Sequence, residues 1–156
     1  MANPTYENTT GPFEKKYMPL YDEVLRQLYG PNCIIKYEPI LDLQHATDRV
    51  VITPFGEKIR YACRGRNEWY RQKYYDEFTI RNSEMPKILN NEANYFLYGF
   101  LNEKVDKIIQ LIRIDLFYFA WYYKDYFAIN KFNINTTNGF TAHKIKDFKK
   151  YIERII

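Results

Sequence analysis

A β-hairpin between residues 48 and 66 is the part of this sequence that most limits its fold. The run 49–53 has the apolar, β-branched residues 50–52 at its centre, and a turn that contains Gly56 separates it from a second run, 58–66. Apolar residues of the second run alternate with basic ones: Ile59, Tyr61 and Cys63 against Arg60, Arg64 and Arg66. A period of two is typical of a β-strand with two unlike faces. The sequence therefore predicts two antiparallel strands, the second with one apolar and one basic face.

The segments around the hairpin predict a mixed α+β domain with α/β-like character. Apolar residues recur at helical spacing in 18–29 and again at the C-terminus, in 145–155. Further strands are predicted at 33–38, 77–81, 95–101, 107–114 and 140–142, further helices at 83–94 and 115–126, and loops at 67–75 and 133–138. This order predicts one domain, residues 13–156, with a central mixed β-sheet flanked by helices. Residues 1–12 are predicted to be a flexible N-terminal segment.

Composition limits the classes of function. The 156 residues suffice for one domain with a substantial core, and the net charge of +4 permits a nucleic-acid partner without requiring one. Two cysteines and two histidines, without a CxxC pattern, argue against a disulfide scaffold or a zinc site and for buried free thiols. The N-terminus lacks the features of a signal peptide, and charged residues interrupt the longest apolar run, 108–128. We therefore expect a cytoplasmic protein with no membrane partner.

A basic and aromatic segment continues from the second hairpin strand. Arg60, Arg71, Lys73 and Arg81 are interleaved with Trp69 and several tyrosines. Guanidinium groups bind phosphate bidentately and aromatic rings stack on exposed bases, so the segment predicts a DNA-binding track. The alternative is a charged surface loop whose aromatic residues pack into the core. The many tyrosines and phenylalanines have two explanations as well, a functional aromatic surface or an AT-rich genome.

Short motifs follow one another in a characteristic order between residues 47 and 142. They are Thr47-Asp48, Tyr61–Arg66 (YACRGR), Phe78–Arg81 (FTIR), Tyr95–Phe100 (YFLYGF), Ile114–Leu116 (IDL) and Thr137–Ala142 (TNGFTA). In order and spacing they resemble the PD-(D/E)XK nuclease-like superfamily, in particular its small phage-type members. The resemblance implies a restriction-endonuclease-like core, DNA as the partner, and a virus-encoded protein in the host cytoplasm or associated with the virion.

The resemblance also implies metal-assisted hydrolysis of phosphodiesters. In the family, an aspartate and a second carboxylate hold Mg²⁺ or Mn²⁺, which lowers the pKa of a bound water. Asp48 matches the first carboxylate, and Glu23 on the predicted first helix matches a helical acid, so both are the implied metal ligands. Arg64 and Arg66 occupy the (D/E)xK positions as implied catalytic residues. Arg66 can take the role of the lysine, whereas the guanidinium of Arg64 cannot bind a cation.

The missing second carboxylate leaves several hypotheses open. Asp42, Glu57 or Glu77 could enter the site from elsewhere in the fold, and Glu23 could be an ordinary solvated helix residue. A second hypothesis keeps the fold without catalysis, as a nucleic-acid-binding, virion-associated or host-defence-inhibiting protein with a viral or host protein partner. A third is that the resemblance is coincidental and the chain is an unrelated α+β interaction domain.

Two further polar residues have competing interpretations. His45 lies close to Asp48 in sequence and could be a general base, because histidine titrates near neutral pH. An exposed loop position is the alternative. Asp115 precedes a predicted helix, so a helix cap competes with a catalytic role.

Overall fold

The computed structural model describes residues 11–38, 47–130, 134–135 and 139–156. The helices are α1 (Gly11–Tyr29), α2 (Glu68–Tyr74), α3 (Met85–Leu89) and α4 (Leu116–Asn130), with a 3₁₀ helix at Ile145–Tyr151. The strands are β1 (Ile34–Lys36), β2 (Arg49–Ile52), β3 (Lys58–Asn67), β4 (Glu77–Arg81), β5 (Tyr95–Leu101), β6 (Ile108–Asp115), β7 (Ile134–Asn135), β8 (Phe140–Lys144) and β9 (Ile152–Arg154). This order confirms the predicted α+β fold class.

Two β-sheets organise the molecule. The large sheet has six strands in the order β1-β2-β3-β5-β6-β9, and the small sheet has three in the order β4-β8-β7. Strands β3 and β5 are parallel, and the other neighbours are antiparallel. The predicted hairpin is confirmed as β2–β3, in which Val51 lies opposite Ile59. The central sheet is therefore mixed, as the sequence predicts.

The large sheet is buried on both faces. On one face α1 packs Tyr17, Tyr21 and Leu25 against residues such as Tyr61 and Leu97 of β3 and β5. On the other face, α3, α4 and the small sheet enclose a second cluster that is rich in aromatic rings. Its largest fully buried side chains include Phe78, Ile80, Ile88, Phe96, Phe100, Phe119 and Phe148. The helices thus flank the central sheet, and the small sheet covers part of one face.

Two glycines in register allow α1 to approach the large sheet closely. Gly65 of β3 lies beside Gly99 of β5. A Cβ atom on Gly99 would lie 2.6 Å from the hydroxyl oxygen of Tyr21 and 2.9 Å from the carbonyl oxygen of Gln110. The same Tyr21 hydroxyl donates a hydrogen bond to the carbonyl oxygen of Arg64, at 2.8 Å. The glycine pair therefore places α1 directly against the strand that carries the arginines.

We expect Gly99→Ala to lower the free energy of unfolding by about 1–3 kcal/mol, because the added methyl group meets both Tyr21 and the backbone of a neighbouring strand. Urea denaturation followed by circular dichroism measures the change. Glu57→Ala, in the exposed β2–β3 turn, is the control and should leave the midpoint unchanged. An unchanged midpoint for Gly99→Ala would mean that α1 shifts away at no cost.

Two helices differ from the sequence-based expectation. Helix α1 begins at Gly11, seven residues before the predicted start, with Pro12 in its first turn, where a missing N–H costs nothing. Residues 67–75 contain α2 and not only a loop. The side-chain oxygen of Asn67 accepts a hydrogen bond from the backbone N–H of Trp69, at 3.3 Å. Asn67 is thus an N-cap that the sequence analysis did not recognise.

The predicted C-terminal helix is wrong. Residues 145–151 form a 3₁₀ helix, in which Phe148 leaves the helical conformation with φ −118° and is fully buried. Residues 152–154 then form β9, where Ile152 lies opposite Ile114 of β6. The edge of β6 offers unpaired backbone groups, and pairing with them outweighs local helix propensity.

The structure corrects the extent of two further predicted segments. Helix α3 covers only Met85–Leu89 of the predicted 83–94, and Asn91 beyond it has a left-handed φ of 59°. In the predicted loop 133–138, residues 134–135 form β7, and the rest of that range lies outside the described residues.

Candidate functional site

A cavity lies between the two sheets, and we call it the inter-sheet cleft. Its volume is about 380 Å³. One wall comes from β3 and β5, the opposite wall from β4 and β8, and α2 closes a side. The lining residues are Arg66, Tyr70, Tyr74, Glu77, Thr79, Tyr98, Phe100, Phe140 and Ala142. Successive side chains of a strand point to opposite faces, and this alternation places the basic face of β3 towards the small sheet.

Arg66 bridges the two sheets. Its Nη1 donates a hydrogen bond to the hydroxyl oxygen of Thr79 in β4, at 3.2 Å. Its guanidinium lies over the ring of Tyr70, 4.2 Å from the centroid. The Tyr70 ring in turn stacks on Trp69 at 3.7 Å, and Trp69 is 60% exposed. A layered row of planar groups therefore runs from the cleft to the surface.

Arg64 and Arg81 add positive charge near Arg66. Arg64 lies beside Tyr98 in the β3–β5 register and is half-buried. Burial lowers the pKa of Arg64, and the charges of Arg81 and then Arg66 lower it further, whereas Tyr98 and Glu84 act more weakly in the opposite sense. Within the described residues, the side chains of Arg64 and Arg81 make no hydrogen bond or ion pair. The charges of Arg81 and Arg66 thus repel that of Arg64, and this concentration of positive charge beside the cleft favours an anionic ligand.

Asp48 extends the hairpin by one position. Its backbone N–H donates to the carbonyl oxygen of Tyr61 at 2.8 Å, and its carboxylate Oδ2 accepts a hydrogen bond from the backbone N–H of Cys63 at 2.7 Å. The Asp48 carboxylate thus accepts a hydrogen bond from β3 that a backbone carbonyl group would accept if β2 continued further along β3. Burial and the nearby Asp48 raise the pKa of the Cys63 thiol, and both cysteines are free.

Asp22 is an acidic residue of α1 that faces the hairpin. Its Oδ1 accepts a hydrogen bond from Nε of Arg49 at 2.9 Å, with both side chains largely buried. Glu23 lies on the outer side of α1, 62% exposed, and pairs with Arg26 at 3.4 Å. The described residues contain no group of three or more His, Cys, Asp or Glu side chains that could hold a metal ion.

Other acidic candidates are dispersed. Glu77 lines the inter-sheet cleft and pairs with Lys144 at 2.8 Å, whereas Glu57 lies in the exposed hairpin turn. Asp115 caps α4, because its Oδ1 accepts hydrogen bonds from the backbone N–H groups of Phe117 and Tyr118. The structural interpretation of Asp115 is therefore confirmed. Asp42 and His45 lie outside the described residues.

The remaining basic candidates do not line the cleft. Arg60 lies on the basic face of β3, where its backbone N–H donates to Asn94 Oδ1 at 2.7 Å. Arg71 of α2 donates through Nε to Gln110 Oε1 at 3.1 Å, and Lys73 lies 5.3 Å from the centre of the Tyr74 ring.

Sequence reasoning missed the aromatic and polar lining of the cleft. Its strands were predicted, but the pairing of β4 with β8, in which Thr79 lies opposite Ala142, was not. One signal was present, because Glu77, Thr79 and Arg81 alternate with Phe78 and Ile80. That alternation indicates a polar face on β4, which the structure turns towards β3.

We expect Asp48→Ala to lower the free energy of unfolding by about 1–3 kcal/mol, because it leaves the buried N–H of Cys63 without its acceptor. Asp48→Asn keeps an acceptor oxygen and should cost clearly less. Urea denaturation of both variants measures the difference. Equal losses would mean that the charge of Asp48, and not its hydrogen bond, stabilises the hairpin.

No protein-family model matches this chain, and a search of curated proteins finds no significant match. In the part of the chain that the structure describes, none of the helices combines the length and the apolar character needed to cross a membrane.

Proposed function

We propose that this protein is a virus-encoded member of the PD-(D/E)XK nuclease-like superfamily that binds DNA. Arg64, Arg66 and Arg81 would hold DNA phosphates at the mouth of the inter-sheet cleft. The observation that carries the proposal is the guanidinium cluster itself: Arg64 is half-buried, its neighbours repel it, and it makes no ion pair with a described residue. A phosphate would supply the missing negative charge through bidentate hydrogen bonds.

Two further observations support the proposal. An aspartate stands at the head of a hairpin whose return strand carries the arginines, which is the arrangement that the family resemblance implies. Arg60, Arg71 and Lys73 extend the positive charge beyond the cluster, and the net charge of the chain is +4. Together they would attract a polyanion. Such a protein would act in the cytoplasm of the host cell or with the virion.

Binding is tested by fluorescence anisotropy with labelled single-stranded and duplex DNA over a range of salt concentrations. We expect the logarithm of the association constant to fall linearly with the logarithm of the salt concentration, because phosphate contacts release counterions. The charge-swap variants Arg64→Glu and Arg81→Glu should abolish most of the binding. Lys15→Glu, on the exposed side of α1 across the large sheet, is the matched control. Equal effects of all three would contradict a local phosphate site.

Hydrolysis of DNA is a second candidate, favoured by the position of Asp48 at the head of the hairpin. The test incubates supercoiled, linear, branched and single-stranded DNA with Mg²⁺ or Mn²⁺, with and without EDTA. A catalytic Asp48 predicts that Asp48→Ala and Asp48→Asn both abolish cleavage, although only the alanine variant loses much stability. Cleavage that survives in the folded asparagine variant would assign Asp48 to the hairpin alone. The absence of cleavage, with salt-sensitive binding intact, would leave DNA binding as the function.

A further inference from the structure

We infer that the inter-sheet cleft accepts one unpaired nucleobase, so that the DNA this protein binds is single-stranded. The inference rests on the proposed function for the phosphate contacts. The residues that line the cleft support the base site independently of the phosphate contacts.

The walls are mainly aromatic. Rings come from three different elements: Tyr70 and Tyr74 from α2, Tyr98 and Phe100 from β5, and Phe140 from β8. A volume of about 380 Å³ lies within the range of small-ligand pockets. Flat aromatic surfaces stack on the π-face of any base and provide much of the affinity of single-stranded DNA-binding sites. The volume and lining therefore suit a planar ring system.

A few polar atoms stand among these rings. The Thr79 hydroxyl oxygen accepts the hydrogen bond of Arg66, so its own proton can be donated to a base. The Tyr98 hydroxyl makes no hydrogen bond to a described residue, and its ring lines the same cavity. Glu77, held by Lys144, adds an acceptor. A small number of polar groups within an apolar lining is the usual composition of a site that orients a ligand.

The guanidinium cluster lies where the phosphate of such a nucleotide would be. Arg66 lines the cleft, and Arg64 is two positions away on the same face of β3. When a base lies in the cleft, the sugar–phosphate backbone of the same nucleotide thus lies close to these arginines. A base within a duplex must first be unpaired and unstacked to enter, which costs free energy that single-stranded DNA does not require.

A neighbouring base also has a surface to stack on. Tyr70 lines the cleft, and its ring stacks on Trp69, which is 60% exposed. Because Arg66 and Trp69 cover the two faces of the Tyr70 ring, the ring surface open to a neighbouring base is that of Trp69.

The experiment measures affinity and 2-aminopurine fluorescence for three probes of equal length. They are a single strand with one 2-aminopurine, the same strand in a duplex, and a strand made only of abasic deoxyribose phosphates. We expect quenching of 2-aminopurine in the single strand, and binding about 5- to 150-fold tighter than to the abasic strand. The duplex should bind more weakly than the single strand.

Two variants locate the base. Tyr70→Ala removes a wall, and Ala142→Phe fills the cleft from β8 while every arginine is kept. Each should bring the affinity for the intact strand close to that for the abasic strand. Tyr75→Ala removes a tyrosine that is 60% exposed and does not line the cleft, and it should change neither value.

The outcomes separate this inference from the proposed function. Equal binding of intact and abasic strands, both weakened by Arg64→Glu, would overturn the base site and leave DNA binding in place. Saturable binding of 2-aminopurine deoxyribonucleoside monophosphate that Ala142→Phe removes, with no salt-sensitive binding of any strand, would support the base site and overturn DNA binding. No binding of any probe would overturn both.

Discussion

Arg64→Met is expected to make this protein more stable and, at the same time, to weaken its binding to DNA. Methionine keeps an unbranched chain about as long as the apolar stem of arginine but removes a half-buried charge that Arg81 and Arg66 repel. Removing such repulsion should raise the free energy of unfolding by roughly 0.5–2 kcal/mol, as is common for destabilised functional sites. The lost phosphate contact should weaken binding by about tenfold to a hundredfold.

Urea denaturation without DNA and anisotropy with DNA measure the two opposite changes. The salt dependence of binding should also become shallower by about one phosphate contact, which a merely structural residue would not affect. Lys15→Met, on the exposed side of α1, is the control and should change neither stability nor affinity appreciably. A loss of stability in Arg64→Met would show that the folded protein already neutralises Arg64.

Acidification from about pH 6.5 to pH 4 is expected to lower the free energy of unfolding by on the order of 3 kcal/mol through the titration of His143. His143 is 1% exposed and lies among the rings of Phe78, Phe119 and Phe148, with Nε2 2.8 Å from the hydroxyl oxygen of Thr141. Burial lowers the pKa of His143 from its usual value of 6.5 to about 4, because a charged imidazole is poorly solvated there.

The direction of the effect follows from which state binds more protons. Between these two pKa values the unfolded chain is protonated at His143 and the folded chain is not, so the stabilising contribution of His143 is complete above pH 6.5 and is lost as the pH falls. Carboxylates also titrate in this range, and the difference between wild type and His143→Phe isolates the imidazole. The variant should lose less stability than the wild type between pH 7 and pH 4. Parallel pH profiles would mean that the folded protein accommodates the imidazolium.

The parts of the fold that the sequence predicts well are those in which the pattern is local. Strand β3 alternates apolar and basic residues over most of its length, with Ala62 as the exception on the basic face, and a glycine-containing turn joins it to β2. Both the pairing and the faces therefore follow from neighbouring residues. The C-terminus shows the opposite case. Apolar residues at 145, 148, 152 and 155 satisfy a helical period, but the partner that decides their conformation is β6, which lies some forty residues earlier.

The candidate site was predictable in its charges but not in its geometry. The arginines of β3 and β4 could be read from the sequence, whereas the cleft between them depends on the stacking of two sheets, which no local pattern encodes. That Asp22 of α1 faces the hairpin could not be predicted from a local pattern either. Asp22 and Glu23 differ by one position on α1, and only the orientation of the helix against β2 decides that Asp22 faces Arg49. The metal-ligand role of Glu23 remains a prediction without a contact that supports it.

The pairing of Thr79 with Ala142 has a consequence for the order in which the molecule assembles. Strands β4 and β8 are separated by β5, β6 and α4 along the chain, so the small sheet closes only after much of the large sheet can exist. Contacts between such distant segments form late, because a long loop must first be closed. During synthesis, the hairpin and α1 can meet while β8 is still within the ribosome. The cavity beside Arg66 would therefore be among the last features to form, after the contact between the hairpin and α1.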